Sequence, residues 1–481
     1  MPAVATQPSG SELDSEFVAA FRAGRLTREQ AKGFASQDRA IIAFQMLELT
    51  GLVAAKKQPH APSGSQAPFE KSLPKGRRRK KPGGQTGHDG HSRDKPERID
   101  KRVEHQLPTC PDCGGALKRT GRTRKRVTED IPADLTSEVT EHTIHRDWCP
   151  CCKKQVEPKV ADAMPACTLG NQAVTLSAYL HYGVGTTTSQ IVDVFNTHLQ
   201  LKISDGGLTQ MWHRLADTLK PWYEQVWQAC LKSAVLHADE TGWHLNGVLV
   251  WLWCFCTGRE TFYAIEDSRS QAVLNKYFVE AFDGVLVTDF YRAYNAVEAR
   301  MNQKCWAHLL RELNAVEERP HGTRDDWLDF ANRLRRIYTD AVRLAAAGDA
   351  VSEAERDSKV CRLHTRMTDL ACADWTHPDA ARLANRLRQD GEDLLTFAEF
   401  PEVPPTNNRA EREIRPAVLM RKASYGNASP RGAETRAILM TLYRTLKARN
   451  LNPLQETRNA LKTLAQTGQL PPLPGSIASE G

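Results

Sequence analysis

VLHAD at Val235–Asp239 and VLVTD at Val285–Asp289 decide the reading of the fold. Each is a short apolar-rich run that closes on an acid, the pattern of a buried strand with a carboxylate at its end. Between them lie Val248–Thr257 and Thr261–Ile265, separated by Gly258-Arg259-Glu260, a hairpin signal, and then Ser270–Phe282 with helical spacing. Lys304–His308 is expected to add a further strand. Three strands, a helix, a strand, a helix and a strand predict a mixed α/β sheet. Residues 313–398 read as charged helices with no strand signal, Pro401–Pro405 breaks the chain, and 408–449 reads as helical with an interruption around Ser424–Pro430. The stretch Gln466–Gly481 is expected to be disordered.

A sheet of this kind brings acids together. Asp239 and Asp289 are expected to end strands, and Glu411 to sit at the start of a helix opened by Asn407-Asn408. Neighbouring carboxylates repel one another unless cations fill the site, and hard, oxygen-seeking ions such as Mg²⁺ suit it. Two such ions about 4 Å apart activate a water or a 3′-hydroxyl and stabilise the leaving oxygen of a phosphodiester. Other readings compete. The aspartates could terminate strands on a wet edge, and Asn408 with Glu411 has capping-box spacing. Glu240 and Glu413 are the local rivals, the first on the opposite face of a strand, the second about 200° around a helix at roughly 100° per residue. Arg409, Arg412, Arg415, Arg421 and Lys422 surround Glu411, and Arg431, Arg436, Arg444, Lys447 and Arg449 follow against one acid, Glu434. This imbalance reads as a surface for phosphates. Cys305 and His308, a C-x-x-H pair, are auxiliary candidates that could help bind metal or position DNA, against the alternative of a buried thiol and a satisfied histidine. Trp306 is a candidate for stacking on a flipped base. Tyr291 and Tyr294 read as packing or DNA contacts.

The cysteines form a second constellation. Cys110-Pro-Asp-Cys113 and Cys149-Pro-Cys-Cys152 are two C-x-x-C knuckles with 35 residues between them. Each pair can turn two thiolates toward one tetrahedral zinc at about 2.3 Å. Gly114-Gly115 supplies residues that tolerate positive φ. Cys151 could substitute for Cys152 as the fourth ligand. Four thiolates leave no open position, so the zinc is structural.

Composition frames these sites. The chain has 481 residues, 40% hydrophobic and 26% charged, with a net charge of +7. That length is about three domains' worth at roughly 150 residues each. The longest apolar run, Val248–Cys256, has nine residues, whereas a membrane helix needs about 20. Residues 1–10 have neither a basic nor an apolar segment of a secretory signal, so a cytoplasmic location is expected. The twelve cysteines then read as core thiols or metal ligands rather than disulfides. Residues 1–60 read as an N-terminal helical region and 61–105 as a basic, flexible linker. Lys71, Lys75, Arg77, Arg78, Arg79, Lys80 and Lys81 put seven cations into eleven residues, a run suited to phosphates and counterion release. Residues 106–160 carry the cysteine pairs. Residues 165–232 read as helical, with Ser204-Asp205-Gly206-Gly207 as a turn, compatible with a helix-turn-helix or an ordinary helical hairpin.

Several stretches together carry a family likeness: KPGGQTGHDG at 81–90, the cysteine knuckles, LHADETGW at 236–243, VLVTDFYRAY at 285–294, QKCWAHLLREL at 303–313 and NNRAEREIRPAVLMRKASYGN at 407–427. In this order and spacing the chain resembles the insertion-sequence-sixty-six family of bacterial DDE transposases. The resemblance implies a multidomain α+β protein. Its RNase H-like (retroviral integrase-like) α/β core would occupy 233–312 and 401–450, with an α-helical insertion at 313–400 and a tail at 451–481. A zinc ribbon and a helical DNA-binding region would precede the core. It assigns Asp239, Asp289 and Glu411 as catalytic residues and ligands of Mg²⁺ or Mn²⁺. Cys110, Cys113, Cys149 and Cys152 would be the zinc ligands. Lys75, Arg77, Arg78, Arg79, Lys80, Lys81, Arg412, Arg415, Arg421 and Lys422 are the DNA-binding candidates. Phe290 departs from the family pattern, which usually has glycine there. The implied partners are inverted-repeat and target DNA, a second copy in a synaptic complex and accessory proteins of the same element. A catalytically inactive DNA-binding relative and a host nuclease of the same fold are the alternatives.

Overall fold

The computed structural model describes residues 137–475 apart from 166 and 320–324, and before them 99, 102–104, 106–107, 109, 111–116, 128 and 135. The N-terminal helical region, the Lys71–Lys81 cation run, Cys110 and the last six residues lie outside the described residues. Two units divide the chain. One comprises Ala216–Glu456 and the chain from Pro472; the other ends at Leu215 and takes in Thr457–Pro471.

In the second unit, β1 (Asp147–Cys149) and β2 (Lys154–Val156) form an antiparallel hairpin with Cys149 opposite Lys154. Helix α1 (Asn171–Ala178) runs into a π-helical turn at Tyr179–Val184, which closes on Gly185 at φ +100°. Helix α2 (Thr188–His198) opens with a capping box between Thr187 and Gln190. Helix α3 (Asp205–Leu231) begins inside the expected turn. Ser204 Oγ accepts the Gly207 amide at 3.2 Å, so the two glycines become the first turn of a helix. Trp212 is fully buried, donates to Ser177 Oγ at 3.0 Å and stacks on His181 at 4.8 Å.

The first unit is built on a five-stranded sheet in the order β5-β4-β3-β6-β7. Strands β3 (Val235–Leu245), β4 (Val248–Cys256) and β5 (Thr261–Glu266) form an antiparallel meander. Strands β6 (Phe282–Thr288) and β7 (Ala299–Lys304) then add in parallel on the other side of β3. The crossover between β5 and β6 carries α4 (Gln271–Tyr277). Two expectations are corrected. Strand β3 does not end at Asp239 but continues to Leu245, turning into β4 through Asn246 and Gly247 at φ +49° and +78°. The last strand lies at Ala299–Lys304, not Lys304–His308, because the Cys305 amide makes the final sheet-like bond to Thr288 O and Trp306 starts a helix.

That helix, α5 (Trp306–Glu317), leads into α6 (Asp325–Ala346), α7 (Glu353–Cys372), α8 (Pro378–Asp390) and the one-turn α9 (Thr396–Glu399). Trp327, Phe330, Leu334, Ile337, Ala341 and Leu344 give α6 an apolar stripe at spacings of three and four. It packs on Leu363, Met367, Leu370, Leu383, Leu387 and Phe397 in one buried cluster. Helices α10 (Asn408–Ser424) and α11 (Pro430–Ala448) return to the sheet. Thr445 and Thr441 of α11 accept the Thr261 and Tyr263 amides at 3.1 and 2.9 Å, satisfying donors of the edge strand β5. Helix α12 (Pro453–Thr467) follows. The expected disorder from Gln466 is corrected as far as residue 475: Leu473 is buried and its amide donates to Gln225 at 2.8 Å. Among the described residues no helix is long and apolar enough to cross a membrane.

Candidate active site

Strands β3 and β6 pair in parallel with Val235 opposite Val285 and His237 opposite Val287. Carried two residues further, the same register sets Asp239 of β3 level with Asp289, the residue just past the end of β6. Strand β6 stops at Thr288, so the β6 side of Asp239 is left open while its β4 side stays paired. Both aspartates are half-buried. The Glu240 amide donates to Asp239 Oδ1 at 2.9 Å, and the Tyr291 amide to Asp289 Oδ1 at 2.8 Å. Each carboxylate is therefore oriented by the backbone just beyond it. Burial pushes the Asp239 carboxyl well above the usual range, and the charges of Glu240, Asp289 and Glu411 push the same way.

Glu411 reaches this group from the first turn of α10. The helix start is pinned by Asn407, which does not cap it. Instead its Nδ2 donates to Ala238 O at 2.7 Å, its Oδ1 meets His237 Nδ1 at 3.0 Å, and its amide donates to Cys305 Sγ at 3.1 Å. The buried Asn407 thus fastens α10 to β3 immediately before Asp239. The capping-box alternative for Glu411 falls away: the N-cap is Asn407, and the Glu411 carboxylate meets Arg311 at 2.8 Å and His308 Nε2 at 3.6 Å. The two rival glutamates are engaged elsewhere. Glu240 is buried against Arg269, at 2.8 Å from Nε, and the Tyr294 hydroxyl. Glu413 binds Arg444 at 2.6 and 3.1 Å.

Cys305, His308 and Glu411 each offer a ligand atom within 4.8 Å of the others. The Cys305 thiol is buried, and burial pushes its pKa up. Burial first and Arg311 second lower that of His308. Trp306 is corrected: it is fully buried and donates to Leu394 O at 2.5 Å, so it is core and meets no base. Tyr291 and Tyr294 pack, the first under Arg269 at 3.8 Å, the second buried on Glu240.

The basic candidates divide. Arg412, Arg415 and Lys422 are exposed on α10. Arg421 lies against the β3 backbone, with Thr241 Oγ1 at 3.2 Å and Gly242 O as acceptors. The cations of the next helix are mostly engaged within the protein. Arg431 binds Asp217 and Glu434, Arg444 binds Glu413, and Arg449 binds Glu260 at 3.1 Å. Arg436 is buried over Trp243. The imbalance of basic over acidic residues there reflects partners distant in sequence rather than an open strip.

In the cysteine region, Pro111–Cys113 form a turn closed by Gly114 at φ +72° and by a Thr109–Ala116 bridge. The Cys152 amide donates to Cys149 Sγ at 3.3 Å across the β1–β2 turn, where Lys153 takes φ +49°. That bond, and the Cys152 thiol beside it, hold the Cys149 thiol below its usual pKa. A thiol readied for ionisation suits a soft metal.

Acidic groups gathered beside the end of β6, a helical block between the second aspartate and the glutamate, and a cysteine hairpin share one chain, and the family matches define its class, a transposase-type nuclease with a zinc finger. Residues 167–435 match the family described as "Transposase IS66 family", and residues 108–153 match the "zinc-finger binding domain of transposase IS66". The chain belongs to the IS66 transposase family. Among its relatives, "Uncharacterized protein y4jD" of Sinorhizobium fredii is 24% identical over 400 residues, 74% of this chain and 74% of its own length. "Uncharacterized protein y4qI" of the same organism is 25% identical over 244 residues, 45% of this chain and 44% of its own.

Proposed function

We propose that this transposase binds the terminal inverted repeats of an insertion sequence and catalyses strand cleavage and strand transfer at their ends. The core is RNase H-like in this reading, with residues 313–400 as an insertion before the glutamate. The carrying observation is the level position of Asp239 on β3 and Asp289 just past the parallel β6, with Glu411 close enough to raise the pKa of Asp239.

Asp239, Asp289 and Glu411 would hold two divalent cations, Mg²⁺ or Mn²⁺. The fit rests on the donor set: all are carboxylate oxygens, and their mutual repulsion is what a hard cation relieves. When bound, the ions supply Lewis acidity at the scissile phosphate and lower the pKa of the attacking water. The protein's own contribution is orientation. The Glu240 and Tyr291 amides fix one oxygen of each aspartate. Asn407 fixes the start of α10. Water would attack phosphorus, and the O3′ of the cut strand would leave as a 3′-hydroxyl. That hydroxyl then attacks target DNA in line, each step exchanging one P–O bond for another. Cys110, Cys113, Cys149 and Cys152 would hold a structural zinc. The zinc ribbon, the α2–α3 region, the cationic linker and the exposed Arg412, Arg415 and Lys422 would supply the DNA contacts, with two copies bridging two ends and accessory proteins of the element assisting.

The test is cleavage of a labelled duplex carrying the native element end, with Mg²⁺ or Mn²⁺, against Asp239→Ala and Asp289→Ala. Nicking at the element boundary should fall about a hundredfold or more in each variant, since loss of even an outer partner of a metal ligand costs 10–100-fold. End binding should stay within about threefold, the two terms being separable. Equal loss of binding and cleavage would make the acids structural.

A further inference from the structure

Phe290 directly follows Asp289. Beyond it a cavity of about 200 Å³ is lined by Phe290 and Arg292 on one side and by Arg382, Asn385, Arg386 and Gln389 of α8 on the other. The four α8 residues are spaced by three, one and three, which puts them on one helix face. The opposite face, Ala380, Leu383, Ala384 and Leu387, is buried in the insertion core. The outer face therefore presents two guanidiniums and two amides with no apolar side chain between them. Arg386 also lies over the Phe290 ring at 5.0 Å.

The charge around this cavity is only partly matched. Glu312 of α5 accepts from Arg382 at 2.5 Å and from Arg386, and these two cations hold its pKa low against the opposing effect of burial. Arg382 shares Asp379 with Arg319, at 3.0 and 2.9 Å. Asp390 also lines the cavity, but it is buried and Lys304 feels its charge. Arg292 is exposed and reaches the neutral Gln389 amide oxygen. Among the described residues Arg292 makes no ion pair, so the mouth of the cavity keeps a cation bonded to a neutral amide.

The cavity adjoins the carboxylate site by two routes. Asp289 and Phe290 are consecutive, and on α5 Arg311 meets Glu411 while the next residue, Glu312, meets Arg382 and Arg386. Phosphates recur about every 3.4 Å of rise along a DNA strand. A strand with one phosphate at the carboxylates carries the adjacent ones toward α8. Guanidinium forks match phosphate oxygens, amides add neutral donors, and an aromatic ring offers a face to a base or sugar.

We propose that the outer face of α8, together with Arg292, is a phosphate-binding subsite for the DNA strand flanking the scissile phosphate. The inference rests on the transposase reading above. It gives the helical insertion a direct part in holding DNA.

Two variants test it without disturbing the core. Asn385→Glu puts a carboxylate into the cavity at an exposed position that makes no ion pair among the described residues. Arg292→Ala removes a cation that makes no ion pair among the described residues. Binding of the full-length protein to a labelled element-end duplex, and to an unrelated duplex, is measured across salt concentrations, with thermal unfolding as a control for folding. Asn385→Glu should weaken both duplexes by about tenfold at low salt, and Arg292→Ala should reduce the slope of log affinity against log salt by about 1. Unchanged affinity and slope in variants that unfold at the wild-type temperature would overturn the subsite. So would a loss confined to one sequence, because phosphate contact carries no base preference. Failure of the transposase reading looks different: wild-type protein would bind DNA yet leave the element end uncut with either metal, while the binding arm still decides the role of α8.

Discussion

Glu411 and Glu413 sit two residues apart in the same run of arginines, and sequence spacing alone leaves both in contention. Their partners separate them. Glu413 is closed off by Arg444, whereas Glu411 has Arg311 and His308 beside it and its charge acts on Asp239. Glu411→Gln should therefore cut cleavage by about a hundredfold or more, while Glu413→Gln should leave cleavage within about threefold and lower the unfolding midpoint, the loss of a half-buried ion pair. The reverse ranking would move the site. Asn407 makes the clearest case for a residue that sequence reading missed. It was visible only as part of Asn407-Asn408 at a helix start, yet its side chain ties α10 to β3 instead of capping the helix. Asn407→Ala leaves Ala238 O and the His237 ring without that partner in a buried place, at a cost of about 1–3 kcal/mol. Urea unfolding should register that loss together with reduced cleavage. Unchanged stability would mean that the helix start is held by other contacts.

Among the elements, most strands and helices of the first unit are legible because apolar runs and turn residues agree. The misreadings have physical causes. In the sequence Asp239 looks like the end of β3 because an acid closes an apolar run. In the structure the acid is tolerated mid-strand because the neighbouring β6 has already ended. Asn246-Gly247, the strongest two-residue hairpin signal available, marks the turn that carries β3 into β4. Lys304–His308 reads as a strand, but only Lys304 belongs to one; the helix begins at Trp306, which buries its ring and bonds Leu394 O. The cysteine hairpin makes its own prediction. Cys152, whose amide and thiol both touch Cys149, is the better fourth ligand than Cys151. Metal analysis should find about one zinc per chain, lost in Cys110→Ser and Cys152→Ser and kept in Cys151→Ser, because ligands rather than neighbours set the affinity. Loss in Cys151→Ser with retention in Cys152→Ser would reverse that assignment, and absence of zinc from wild type purified without chelators would remove the site.

For the molecule as a whole, the arrangement of sheet, helical block and second helical pair is what a sequence of this length can announce through widely spaced motifs. The origin of its basic excess is not. The cations of α11 and its C-cap Arg449 pair with Asp217, Glu413 and Glu260, partners 31 to 214 residues away, and no local pattern reveals that. Those of α8 become meaningful only once the fold brings them beside Phe290, the residue after Asp289. In the proposed function these parts together form an enzyme that joins DNA as well as cutting it. The most direct measurement is strand transfer: a 3′-labelled element end with a free 3′-hydroxyl is incubated with the protein, Mg²⁺ or Mn²⁺ and a supercoiled plasmid, with and without the accessory proteins. The account predicts label covalently joined to plasmid, dependent on metal and absent in Asp289→Ala. No joined product under any of these conditions, from protein that nicks the uncut element end, would contradict it and identify a nuclease instead.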